Sequence, residues 1–250
     1  MAAFSFNQSK SRTVFTGFTF KWYLDLFRNQ RILDALWLSL GLALAAATVA
    51  TVVGTMAAIG INAMRKTPRA IINNISYLPV VNPEIITGVS LMLLFVVGKQ
   101  GLTALNGWLE QSGLGLRVPE DIFGLPTLLI AHVTFCLPYV IFNVSPKLRQ
   151  MDIRLYEAAL DLGCNPRQAF FKVVLPEIMP AVLSAFLISL TYSIDDFIIS
   201  YFSSGNMQTL PISIYSMTRR KVSPEVYALS TVMFLVILSI ILFTNAMDSR

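Results

Sequence analysis

The sequence predicts an all-α membrane protein, and three observations carry that prediction. Of its 250 residues 55% are hydrophobic and only 13% charged, with a mean hydropathy of +0.64, whereas soluble domains carry roughly a quarter charged residues. Five windows, 35–60, 77–98, 124–145, 179–203 and 226–247, reach the length and apolarity of spanning helices, which need about 20 mostly apolar residues. The segments between them are short and polar, so residues 1–250 read as one membrane domain without a soluble module. The formal charge of +5 suits anionic lipid headgroups, and without a basic patch interleaved with aromatics it does not point to nucleic acid.

Along the chain, residues 20–34 (FKWYLDLFRNQRILD) set Trp22, Tyr23, Leu26, Phe27 and Ile32 among charges, the pattern of an amphipathic helix lying at the membrane interface. The opening residues lack the basic-then-apolar plan of a cleaved signal peptide, so targeting falls to the first span. That span, 35–60, has no charge and is rich in small residues: Gly41, Ala43, Ala45, Ala46, Ala47, Ala50, Gly54, Ala57 and Ala58. Small side chains let helix backbones approach closely in lipid, so this stretch is expected to pack against other helices and not to contact substrate. The second window contains Glu84 with Pro79 and Pro83, and the third contains His132 with Pro138; the prolines are expected to kink or loosen both. The fourth contains Asp195 and Asp196 side by side, and the fifth is uncharged. His132 reads as a hydrogen-bonded packing residue. Cys136 and Cys164 stand outside any CxxC motif, and a single histidine cannot build a metal site; both cysteines read as structural.

Charge alone does not orient the bundle. With residues 150–178 inside, Arg65, Lys66, Arg69, Lys147, Arg149, Arg154, Arg167, Lys172 and Arg250 are inner; Lys10, Arg12, Lys21, Arg28, Arg31, Lys99, Arg117, Arg219, Arg220 and Lys221 are outer. The positive-inside rule is nearly balanced between the two.

The polar stretch between the third and fourth windows has the most internal design. Leu155, Ala158, Ala159 and Leu162 fall at three- and four-residue spacings, giving a short helix one small apolar face. Asp152 can cap its start and Gly163 can end it in a left-handed conformation. Asn165-Pro166 then opens a second helix with its own cap and first-turn proline, and Leu175-Pro176 marks the entry to the fourth span. A helix–glycine–helix elbow of this kind suits docking into another protein, with Glu157 offered to a basic partner.

The run Glu157-Ala158-Ala159, three residues, Gly163, nine residues, then Val173-Val174-Leu175-Pro176 resembles the signature of permease subunits of binding-protein-dependent ABC importers, with Val173 in place of isoleucine. Pro83-Glu84-Ile85, Asp195 to Phe202 and Leu210 to Ser216 resemble the spermidine/putrescine branch of that family, the PotC type. The resemblance implies a type I ABC importer transmembrane domain. It implies that residues 146–178 form a cytoplasmic coupling loop in which Glu157, Ala158, Ala159, Gly163, Leu175 and Pro176 meet an ATPase subunit. It also implies the partners: an ATPase dimer that holds ATP and Mg, a second permease subunit in a heterodimer, and a periplasmic binding protein. The C-terminus would be cytoplasmic and the protein multi-pass in the bacterial inner membrane. Family members usually have six spans; five are expected here, the first being apparently missing.

Acids inside spanning segments are costly and mark candidate transport sites. Asp195 and Asp196 lie about 10 Å from the outer end of their window at helical rise, and Glu84 lies at a similar depth from the inner end of its own. An imported polyamine would thus meet a carboxylate near each mouth, with Tyr192, Phe197 and Tyr201 offering aromatic faces. Neighbouring residues on a helix point about 100° apart, so one of the two aspartates is expected to face the path. No ATP site is expected: near Gly98-Lys99, Leu93 replaces the required glycine and Gln100 the Ser/Thr. Two alternatives stand beside a polyamine permease. One is an ABC permease for another small solute. The other is an ion-coupled secondary transporter using Glu84, Asp195, Asp196 and His132, which predicts inverted repeats that the sequence does not display.

Overall fold

An uncharged run rich in alanine has nothing to interrupt its helix, and in the computed structural model the first window lies in one unbroken helix. The structure describes residues 2–9, 14–113, 117–119, 121–220 and 224–248. After a short 3-10 helix (Ala2–Phe6) come α1 (Lys21–Arg28), α2 (Gln30–Ala63), α3 (Lys66–Val81), α4 (Glu84–Gln111) and α5 (Leu125–Gln150). Then follow α6 (Ile153–Asp161), α7 (Pro166–Ala169), α8 (Leu175–Asp195), α9 (Ile198–Ser203), α10 (Leu210–Arg220) and α11 (Pro224–Asp248). The extended pairing among the described residues is one isolated bridge between Asn7 and Phe18. The protein is an all-α membrane domain. Among the described residues four helical runs, Gln30–Ala63, Glu84–Gln111, Leu125–Gln150 and Pro166–Asp195, are long and apolar enough to cross a bilayer, and α11 is apolar over Val226–Ser239.

α2 is the central post. Ala43, Ala46, Ala47, Ala50, Gly54 and Ala58 line its buried stripe, against which α5 and α8 pack. The contact is tight: a Cβ on Gly54 would come within 2.7 Å of Val140. α5 and α8 run antiparallel, as the pairs Cys136 Sγ to Ser189 O (3.6 Å) and Lys147 Nζ to Glu177 Oε1 (3.0 Å) require. Large apolar side chains such as Trp37, Leu94 and Phe234 point outward, as lipid-facing residues do.

Three expectations are corrected. The window 77–98 is not one helix: α3 stops at Val81, Asn82 is extended, and α4 starts at Glu84. Pro83 is the cause, because a residue preceding proline is pushed out of the helical region. Pro79, by contrast, sits inside α3. The window 179–203 is also two helices, broken at Asp196, whose ψ is 117°. The amphipathic stretch 20–34 is helical only to Arg28 before Asn29 interrupts it, and residues from Gln30 onward belong to α2. Trp22, Leu26 and Ile32 are not interfacial anchors. They are buried with Ala35, Leu210, Ala228 and Leu229 in a second core, and the Trp22 indole N–H donates to the Asn7 carbonyl at 2.7 Å. Of the charges weighed for orientation, Lys10, Arg12, Lys221 and Arg250 lie outside the described residues.

Candidate functional site

Two places bring the singled-out residues together. The first is the elbow between α5 and α8. Asp152 Oδ1 accepts the Arg154 N–H at 3.0 Å, capping α6. At the other end Gly163 has φ +89°. Its N–H donates to Leu160 O at 2.9 Å, and the Cys164 N–H reaches back to Ala159 O at 3.1 Å, the paired bonds of a Schellman ending. Asn165 and Gln168 cap one another's backbone N–H groups at the start of α7 (2.8 and 3.1 Å). Residues Phe170–Val174 form one wider π turn before α8 continues, closed by the Leu175 N–H on Phe170 O. Pro176 accounts for it: proline has no N–H to return to Lys172, and its ring crowds that carbonyl.

The expected apolar face of α6 divides. Ala159 is buried, and Tyr156 leans into the bundle core. Leu155, Ala158 and Leu162 point away, Leu162 being 86% exposed, and Glu157 is exposed beside them. The i, i+3, i+7 stripe left outside is an apolar ledge that nothing among the described residues covers. The Lys147–Glu177 ion pair clamps the base of the elbow, joining the end of α5 to the first turn of α8. Both groups are partly exposed, which holds its worth to about 1 kcal/mol or less.

The second place is the break in the fourth span. Asp195 ends α8 and is exposed; Asp196, one residue on, is buried. Asp196 caps α9, its Oδ2 accepting the Ser200 N–H at 2.7 Å and its Oδ1 the Ile199 N–H at 3.3 Å. Glu84, first residue of α4, is exposed. It starts the helix that packs against α9, the second half of the broken span. Starting the span at Glu84 instead of residue 77 moves this carboxylate to the helix end. Gly88 permits the approach: a Cβ there would meet Phe202 at 2.9 Å and the Ile198 carbonyl at 3.5 Å, so only bare backbone lets α4 close on α9.

Rings line both sides of the break. Phe135, Tyr139 and Tyr192 form one group, with centroids 4.6–6.3 Å apart. Phe197 joins Tyr201 (5.6 Å) and Tyr215 (4.7 Å) in another. Tyr192, Phe197 and Tyr201 were expected from the sequence. Phe135, Tyr139 and Tyr215 were not, because they lie on other helices and only packing reveals them. Among the described residues no lysine or arginine forms an ion pair with Asp195 or Glu84. Gly98 and Lys99 lie within α4, where backbone N–H groups bond along the helix instead of cradling phosphate.

Residues 50–250 match the family of binding-protein-dependent transport system inner membrane components. The chain belongs to that family, whose members are transport subunits of ABC importers and not enzymes. It is 39% identical over 235 residues to the putrescine transport system permease protein PotI of Escherichia coli K12, covering 92% of this chain and 78% of that one. It is 35% identical over 247 residues to the spermidine/putrescine transport system permease protein PotC of Haemophilus influenzae, covering 98% and 88%. Among solved structures, a bacterial ABC transporter involved in import of the acidic polysaccharide alginate superposes with a TM-score of 0.71 at 19% identity, covering 100% of this chain and 87% of that chain. The MetNI methionine transporter in an inward-facing conformation gives 0.63 at 16%, covering 87% and 94%. Those likenesses establish the fold of type I ABC importer transmembrane domains.

Proposed function

We propose that this chain forms half of the translocation path of an ATP-driven importer for polyamines of the spermidine and putrescine class, working by alternating access. The observation that carries the cargo reading is the Asp195 carboxylate. It is exposed at the end of a broken spanning helix, has no basic partner among the described residues, and lies in the chain between Tyr192 and Phe197, one ring from each aromatic group. An unpaired charge in a spanning segment is costly, and an ammonium group offsets that cost when it arrives. Carboxylates hold ammonium by charge-assisted hydrogen bonds, and tyrosine and phenylalanine faces add about 0.5–2 kcal/mol each by cation–π attraction. Glu84, at the start of the helix packed on α9, offers a second carboxylate, suited to a cargo whose positive charges are separated by methylene chains. The relatives named as putrescine and spermidine/putrescine permeases support the same chemistry.

The elbow at residues 146–178 is the cytoplasmic coupling element. Glu157, Ala158, Ala159, Gly163, Leu175 and Pro176 shape a rigid piece whose uncovered ledge is gripped by an ATPase subunit. ATP and Mg reside on that ATPase dimer. Closure of the dimer pushes the elbow, and through α5 and α8 it opens the path toward a loaded periplasmic binding protein. A second permease subunit forms the other half in a heterodimer, and the C-terminus lies in the cytoplasm of a cell bounded by this inner membrane. One of the structural neighbours is a transporter in complex with a periplasmic protein, which supports that kind of partner.

The test is polyamine uptake by the assembled importer in proteoliposomes. Asp195→Asn raises KM about tenfold or more, the factor that losing one charge-assisted contact produces, with the amount of assembled transporter unchanged. An unaltered KM removes the cargo reading.

A further inference from the structure

We propose that His132 is a positioning residue for transport: its ring bridges the two halves of the broken fourth span and so sets where Asp195 stands in the path. This rests on the path reading above and deepens it. His132, on α5, is only 1% exposed. Its Nδ1 lies 2.7 Å from Ser193 Oγ, on α8 two residues before Asp195. Its Nε2 lies 2.9 Å from Ser200 Oγ, on α9 beyond the break. The same Nε2 is 3.7 Å from Asp196 Oδ2, the oxygen that accepts the Ser200 N–H.

A helix break leaves carbonyls on one side and N–H groups on the other without their usual partners, and it lets the two pieces pivot. Asp196 supplies the N–H side by capping α9, but a cap fixes only one piece. Holding both needs a rigid group with a polar atom at each end. A neutral imidazole has one donor and one acceptor nitrogen on a planar ring; the Ser200 hydroxyl donates to the Asp196 carboxylate, so it accepts from Nε2–H, and Nδ1 accepts from the Ser193 hydroxyl. Two further ties flank the bridge: Thr127 Oγ1 donates to Ser203 O at 2.8 Å, and Cys136 Sγ to Ser189 O at 3.6 Å. α5 thus lies along the broken span as a splint, and the flanking ties hold the helices together when the central one is removed.

The experiment compares His132→Phe, Asp195→Asn and the double variant in the assembled importer, reading KM for spermidine, maximal rate per assembled complex and amount of complex. His132→Phe is expected to raise KM about three- to tenfold, the factor that one or two buried hydrogen bonds are worth. It adds no further rise on top of Asp195→Asn, the non-additivity of residues acting through one another. Ser200→Ala removes one arm of the bridge and the hydroxyl's bond to the Asp196 carboxylate while leaving the cap from the Ser200 N–H, and is expected to raise KM in the same direction. If His132→Phe does not assemble, Ser200→Ala alone and combined with Asp195→Asn decides by the same criteria. Lower abundance with unchanged KM would make His132 a packing residue and overturn the inference, as would multiplicative effects in the double variant. A raised KM in Asp195→Asn with none in His132→Phe or Ser200→Ala overturns this inference alone. An unchanged KM in Asp195→Asn removes the path reading and this inference with it.

Discussion

Asp195 and Asp196 are neighbours with opposite surroundings, and different variants separate them. Asp196 is a helix cap in a buried polar cluster with His132 and Ser200. Asp196→Ala is expected to lower the thermal stability of the purified complex by about 0.5–2 kcal/mol, the usual loss on removing a cap. Asp196→Asn keeps the acceptor oxygen and should retain more of it. A detergent melting curve for the two variants checks this ordering, and equal melting temperatures would deny the cap. The sequence announced that the two side chains diverge but not which one faces outward. No proline or glycine marks the break at Asp196; the local cue was the aspartate itself, a residue type that favours helix N-caps. His132 itself was legible as a hydrogen-bonded packing residue, whereas the partners it reaches, 61 and 68 residues away, were not.

Among the elements, the elbow was the most legible because its signals are local: Asp152, Gly163, Asn165 and Pro166 each act on the backbone within a few residues. What was not legible was which side of α6 turns inward, since that depends on its packing against the π turn and on Tyr156 meeting the bundle core. The windows that misled were those where composition and direction part. Val80 and Val81 carry apolar character across Asn82-Pro83, so the window ran through a real helix break. At Gly163 nothing lies within 4 Å of the place a Cβ would take, and the constraint is the positive φ alone. Gly163→Val is therefore expected to reduce uptake sharply by straining the elbow, costing about 1–2 kcal/mol locally, while the subunit still enters the membrane. Gly163→Asn, which tolerates left-handed geometry, should retain more transport. Uptake assays beside immunoblots of the membrane fraction check both, and equal activity in the two variants would count against a rigid docking elbow.

For the whole molecule, the all-α membrane architecture follows from composition, because a bilayer admits only helices or closed barrels and the apolar windows have helical length. The tertiary arrangement follows from the alanine stripe of α2, around which α5 and α8 close. Orientation does not follow from charge, so it calls for a chemical probe. Cys164 on the elbow is partly exposed and Cys136 is buried in the bundle. Cys164 is expected to react with membrane-impermeant thiol reagents in inverted vesicles but not in intact cells, and more slowly once the ATPase is bound. Labelling of intact cells from outside would reverse the proposed topology. The most direct test of the central claim is spermidine accumulation in proteoliposomes holding this chain with its partner permease, ATPase and binding protein. Uptake should require ATP and the ATPase and should collapse in Asp195→Asn at low spermidine. Uptake that persists without the ATPase, driven by an ion gradient, would contradict it.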